Sequence, residues 1–252
     1  MRCFIDLSYV GTEYHGWQRQ PESISVQEVM EDILSDLLGT PTIVVGCGRT
    51  DTGVHASSFY AHFEWEGPFG RRFKDWDQAV WKLNGMLPAG IGVRRIFEVG
   101  ARDHARFDAT ERGYTYHVHT HKDPFLENRS ARVYQSLDLE AMNAGVQHLI
   151  YKGDFAAFCK TGSGQKTTIC DLRSALWTQT DRHRYQFDIA ADRFLRNMVR
   201  AIVGTLLDVG RGRLAPEDVK DIAASCDRSN AGMSASACGL YLSRVEYPFL
   251  NS

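Results

Sequence analysis

Apolar residues alternate along the start of the chain. Cys3, Ile5, Leu7 and Tyr9 fall on one side of an extended segment, which predicts a half-buried strand over 2–10. The period then changes. Val26, Val29, Met30, Ile33, Leu34, Leu37 and Leu38 form a helical stripe that opens on the Ser25/Glu28 capping pair and stops at Gly39. Strand-like Thr42 to Val45 leads through a glycine-rich turn, 46–53, to a second extended run near 57–65. A helix near 77–86 and a strand near 92–99 follow. Strand, helix, strands and helix then recur: 111–120, 139–151, 167–178, 183–191 and 194–209, the last striped by Met198, Val199, Ile202, Val203, Leu206 and Leu207 and closed by Gly210. A short helix starting at Pro216 and a strand over 240–247 complete the chain.

The order strand, helix, strand, strand, helix, strand is that of the split βαβ unit of ferredoxin-like domains. Its recurrence predicts an α+β protein of two ferredoxin-like halves, residues 1–105 and 106–252, with adjoining antiparallel sheets and a central cleft. The 252 residues, 43% hydrophobic, are enough to bury a core without covalent staples. The longest apolar runs fall far short of the ~20 residues of a membrane span, and Asp6 arrives before any signal-like apolar stretch forms. A cytoplasmic protein is expected. The six cysteines stand at least eleven residues apart, which fits buried thiols better than a zinc ribbon.

The net charge of −2 carries no overall nucleic-acid signature, but 22 of the 29 basic residues are arginine. Seven of these (Arg182, Arg184, Arg193, Arg196, Arg200, Arg211, Arg213) lie within 182–213 against three aspartates. Such a segment is either a solvated face or a phosphate-binding one.

The densest chemistry is Gly46-Cys47-Gly48-Arg49-Thr50-Asp51-Thr52-Gly53-Val54-His55-Ala56. Glycines permit a tight turn that presents Arg49 and Asp51. A carboxylate beside a guanidinium stays ionised and can act as a nucleophile; an acid in such a turn can also simply satisfy its own backbone. Tyr114 shares a strand face with Tyr116, where packing is the usual role. Arg200 sits among the apolar stripe residues of its helix, a costly place for a charge unless an acid such as Asp51 pairs with it or the side chain snorkels to solvent. His117-x-His119-x-His121 on one strand face is a possible zinc site, and a zinc-dependent hydrolase is the alternative reading, weakened by the want of a nearby acid inside the run.

Gly48-Arg49-Thr50-Asp51 with Gly53-Val54-His55-Ala56 resembles the signature of the tRNA pseudouridine synthase A family. Six further stretches match in order: Tyr9-x-Gly11-Thr12-x-Tyr14-x-Gly16-Trp17-Gln18-x-Gln20, Asn84-x-x-Leu87-Pro88, His104-Ala105-Arg106-Phe107, Arg112-x-Tyr114-x-Tyr116, the helix from Phe194 to Leu206, and Gly239-Leu240-Tyr241-Leu242. The resemblance implies isomerisation of uridine to pseudouridine at positions 38, 39 and 40 of the tRNA anticodon stem-loop, by a homodimer that uses no metal and no small-molecule cofactor. It implies Asp51 as nucleophile, Arg200 as its partner, Tyr114 as the platform for the target base, and Arg49 as a group that helps displace that base. An aromatic plate and a guanidinium suit a base taken out of its stack. The chain departs from the pattern at Thr52, Val10, Arg193 and Ser234-Ala235-Ser236-Ala237-Cys238, none of which removes a proposed catalytic group. Retention of Asp51, Tyr114 and Arg200 together disfavours a catalytically inactive RNA-binding module on the same fold.

Overall fold

A computed structural model describes residues 1–69 and 72–250. Two compact units divide the chain: Met1–Thr110 with the segment from Leu242 onward, and Glu111–Tyr241. Both are α+β, with antiparallel sheets apart from one short parallel pair.

In the first unit β1 (Arg2–Tyr9) pairs antiparallel with both β3 (His55–Glu64) and β4 (Ile91–Val99), and the short β2 (Val45–Gly46) pairs antiparallel with β3. Phe4, Ile5, Leu7, Phe59 and Phe63 from these strands are buried with Val26, Met30 and Leu34 of α1 (Val26–Leu38) and Ala79 and Leu83 of α2 (Trp76–Met86). Local signals set both helices. Ser25 accepts the Glu28 N–H, and Gly39 ends α1 at φ +75°, a left-handed conformation natural to glycine. Asp75 caps α2 by accepting the Gln78 N–H at 2.8 Å. Asn84 of α2 then bonds both the N–H and the C=O of Val93, so one side chain ties the helix to β4.

The strand expected over 42–45 is replaced by a different device. Only Val45 and Gly46 pair with β3; before them, Val44 N–H donates to the Glu31 carboxylate at 3.1 Å, Val44 C=O accepts from Gln27 Nε2, and Thr42 N–H donates to Ser35 Oγ. Side chains of α1 thus satisfy backbone groups that strand pairing would otherwise take.

In the second unit β5 (Glu111–His119), β9 (Arg184–Ala191), β8 (Ile169–Asp181) and β7 (Lys152–Asp154) lie in that order, all antiparallel, and β6 (Ala131–Arg132) adds to β5 in parallel. The helices are α3 (Leu139–Gln147), α4 (Met198–Gly210) and α5 (Asp218–Ser225). The helix expected from Phe194 starts only at Met198. Asn197 stands at φ +67°, which an α-helix cannot pass through, and its amide donates to Ser234 Oγ at 2.6 Å. Gly210 is not the stop either: it is helical, a Cβ there would come within 2.5 Å of Met142 Sδ on α3, and the left-handed residue is Gly212 at φ +69°.

The last strand, β10 (Leu240–Glu246), runs across the division, and β3 is its neighbour in the first unit. From Leu242 the chain belongs with that unit rather than with the second half, because Thr110 N–H donates to Glu246 C=O, Tyr247 Oη donates to Ala105 C=O, and Phe4 meets the rings of Tyr247 and Phe249. Among the described residues no helix is long and apolar enough to cross a membrane.

Candidate functional site

The Asp51 turn is built by the segment that precedes α1. Trp17 N–H donates to Thr50 C=O, Gly53 N–H to Tyr14 C=O, and Gly11 N–H to Nδ1 of the fully buried His55 at 3.0 Å. Tyr9 Oη and Thr50 Oγ1 are 2.9 Å apart, and Trp17 stacks on Phe59 with ring centres at 4.0 Å. The approach is close enough to require glycine: a Cβ on Gly11 would lie 2.0 Å from Val54 O, and one on Gly16, itself at φ +85°, 2.3 Å from Thr50 O. The segment from Tyr9 to Gln20 is therefore the mould for the acid turn. Asp51 C=O accepts the Val54 N–H at 3.1 Å, closing the turn, and the Asp51 side chain is half-buried beside exposed Thr52.

Arg49, exposed, donates through Nε to Gln18 Oε1 at 3.1 Å. Gln18 in turn donates to Gln27, and Gln27 to Glu31. This ladder borders a cavity of about 200 Å³ whose wall also includes Gly48, Val44 and Arg106. Gln18 and Arg106 stand in stretches that resemble the family's, but their spacing in sequence does not tell that they and Gln27 share one surface.

Tyr114 and Arg200 belong to the second unit. Tyr116 takes the packing role: it is fully buried, its hydroxyl donates to Ser236 C=O at 2.8 Å, and burial raises its pKa. Tyr114 stays half-buried and meets Phe194 edge to face at 5.1 Å. Arg200 is half-buried and clamps a strap of chain: Nε donates to Ala235 C=O at 2.7 Å, while Ala235 N–H donates to Arg200 C=O at 2.9 Å. The strap lies against α4 because Gly204 leaves room; a Cβ there would come within 1.7 Å of Met233 O. Thr205 Oγ1 accepts the Gly232 N–H, and Ser234 Oγ receives bonds from Asn197 and Arg228. The stretch that departs from the family pattern at 234–238 is thus one side of the mounting of Arg200.

The arginine-rich segment is less bare than its composition implies. Arg184 pairs with Asp123 at 2.7 Å, and Arg211 and Arg213 share Asp208, whereas Arg182 and Arg196 are exposed.

The zinc reading is corrected by geometry. β5 ends at His119, so the alternation that would align three imidazoles stops before His121. His117 faces Tyr241 at 5.2 Å, His119 Nδ1 lies 3.0 Å from Ser130 Oγ, and His121 meets His183 at 5.2 Å. Burial lowers the pKa of both His117 and His119. Among the described residues no group of three or more His, Cys, Asp or Glu side chains is placed to hold a metal.

Residues 146–248 match the family model described as tRNA pseudouridine synthase. Over nearly its whole length the chain is also similar to proteins named tRNA pseudouridine synthase A: 48% identical over 248 residues to that of Bacteroides fragilis (98% of this chain, 96% of the relative), 45% over 248 to that of Porphyromonas gingivalis (98% and 97%), and 37% over 250 to that of Exiguobacterium sibiricum (98% and 98%). The chain belongs to the tRNA pseudouridine synthase A family.

Proposed function

We propose that this protein isomerises uridine to pseudouridine at positions 38, 39 and 40 of the tRNA anticodon stem-loop, acting in the cytoplasm as a homodimer and without a cofactor. Family membership makes it an isomerase of tRNA uridine. The observation that carries the catalytic reading is the moulded turn that presents Asp51 beside Arg49 at the head of β3.

In this reading the target base leaves its stack, Arg49 takes part in displacing it, and Tyr114 supports its face. Asp51 acts as the nucleophile with Arg200 as its partner, and the bond that it forms to the nucleotide breaks again before the product leaves. The C1′–N1 glycosidic bond breaks, the uracil turns, and a C1′–C5 bond forms. The C5 proton leaves and N1 gains one, so composition and mass are unchanged. The clamp from Arg200 to Ala235 supports a positioning use of that side chain, since a guanidinium fixed through Nε keeps its other nitrogens in a set plane.

The pairing pattern supports the finer fold reading. With α1 between β1 and β2 and α2 between β3 and β4, the order β4-β1-β3-β2 is that of a ferredoxin-like unit. In the second unit α3 separates β5 from β8, and β9 lies between those two strands.

The test is position-specific pseudouridine mapping on unmodified tRNA incubated with the purified protein. Pseudouridine at 38, 39 or 40 with the wild type, and none with Asp51→Asn of unchanged circular dichroism, is expected. Modification elsewhere overturns the position, and turnover by Asp51→Asn overturns the nucleophile.

A further inference from the structure

The stretch His104-Ala105-Arg106-Phe107 has no part in the chemistry assigned to Asp51, Tyr114, Arg200 and Arg49. In the first unit it forms a fully bonded turn. His104 N–H donates to Asp108 Oδ2 at 2.7 Å, Ala105 N–H to His62 Nδ1 at 3.1 Å, and the N–H groups of Arg106 and Phe107 both to His104 Nδ1 at 3.0 and 3.3 Å. Each of the four amides is used, so the backbone is rigid. Yet the turn holds Phe107 75% exposed, with the His104 ring 4.3 Å from it and the Arg106 guanidinium carbon 5.8 Å from its centre.

One exposed apolar ring is unremarkable by itself. Its neighbour makes the difference. Arg106 lines the same cavity of about 200 Å³ as Arg49, Gln18 and Gln27, with Trp17 and Ile43 as apolar wall, and Arg49 stands two residues before Asp51. Two guanidiniums, amide groups and an aromatic plate answer the phosphate, the base edge and the base face of a single nucleotide.

We propose that this cavity and the Phe107 ring form a second nucleotide subsite, which takes a nucleotide flanking the target uridine. Its base stacks on Phe107 and its phosphate sits between Arg49 and Arg106. The inference rests on the reading of the Asp51 turn as the uridine-modifying centre. It also answers an energetic need: a base that leaves its stack strips one face of its neighbour, and an aromatic plate restores that contact. Phe107 is then a positioning residue that acts on binding and not on bond breaking.

Two anticodon stem-loop RNAs carrying 2-aminopurine, one on the 5′ side and one on the 3′ side of the target, are titrated with wild type, Phe107→Ala and Phe107→Trp. Pseudouridine formation is followed on the unlabelled RNA. The wild type and Phe107→Trp should quench one of the two probes, and Phe107→Ala should not. Phe107→Ala should raise KM about ten-fold, the order of one base–aromatic stack, with kcat within two-fold and an unchanged melting temperature. Neither probe quenched by the wild type, or equal quenching by Phe107→Ala, overturns the subsite; so does a fall in kcat at constant KM. Binding and quenching without any pseudouridine overturn the catalytic reading and leave the subsite standing. RNA that fails to bind at all overturns both.

Discussion

Glu31 shows how one buried side chain can replace a strand pairing. At 7% exposure its carboxylate accepts from Val44 N–H and Gln27 Nε2 and pairs with Arg19 Nη1 at 2.9 Å. Glu31→Ala leaves a buried amide and part of a guanidinium without acceptors, and should cost roughly 1–3 kcal/mol, measured as a shift in urea midpoint. Loss of rigidity at Val44 should also reach the cavity wall beside Arg49. The histidines of β5 invite the opposite expectation. His119 is tied to Ser130 and not to its neighbours in the His-x-His-x-His run, so His119→Ala should lower stability without abolishing pseudouridine formation, and exhaustive chelation should leave activity intact. Activity lost on chelation and restored by stoichiometric zinc would transfer the chemistry away from Asp51.

Among the elements, α4 does most to position a proposed catalytic group. Its stripe of Met198, Val199, Ile202, Val203 and Leu206 is buried, while Gly204 and Thr205 dock the strap that Arg200 clamps. Gly204→Ala puts a methyl into the Met233 carbonyl, and the strap must move. Despite the better helix propensity of alanine, the expected outcome is a lower melting temperature together with a fall in turnover, because Ala235 is the fixed point for Arg200 Nε. Unchanged kinetics in Gly204→Ala would separate the strap from Arg200. The helix start teaches the same lesson. Helical spacing runs from Phe194, but Asn197 in the left-handed region, held by Ser234, delays it to Met198.

At the scale of the whole molecule, buried histidines make stability fall in acid. His62 is 5% exposed and accepts the Ala105 N–H through Nδ1; burial holds its pKa down at about 4, and burial also lowers those of His104, His117 and His119. These folded values lie below the ordinary value of about 6.5. The unfolded chain therefore binds more protons than the folded one between about pH 6.5 and 4, and the stabilisation present above 6.5 is lost as pH falls through that window. The urea midpoint should drop between pH 7 and pH 4.5, and His62→Gln should flatten the drop. Affinity for tRNA should weaken with salt, since contacts to phosphate release counterions. The exposed Arg182 and Arg196 should contribute more to that slope than Arg211 and Arg213, whose charge Asp208 already partly offsets. Equal slopes in Arg196→Gln and Arg213→Gln would contradict this.

Much was legible in the sequence because its causes are local. Ser25 and Gly39 bound α1, alternation marks β1, and the glycines around Asp51 mark a tight turn, since each depends on residues a few positions apart. The ordered motifs, from Tyr9 to Leu242, likewise carry the resemblance to the family without any tertiary contact. Tertiary structure alone decided what depends on partners distant in sequence. Val44 takes its bonds from α1 and not from a strand; the chain from Leu242 joins the first unit; Arg200 is held by Ala235; Arg106 comes to the cavity of Arg49 across more than fifty positions. A period of 2 or 3.6 residues states which face is apolar, but not which distant carbonyl, carboxylate or ring will meet it.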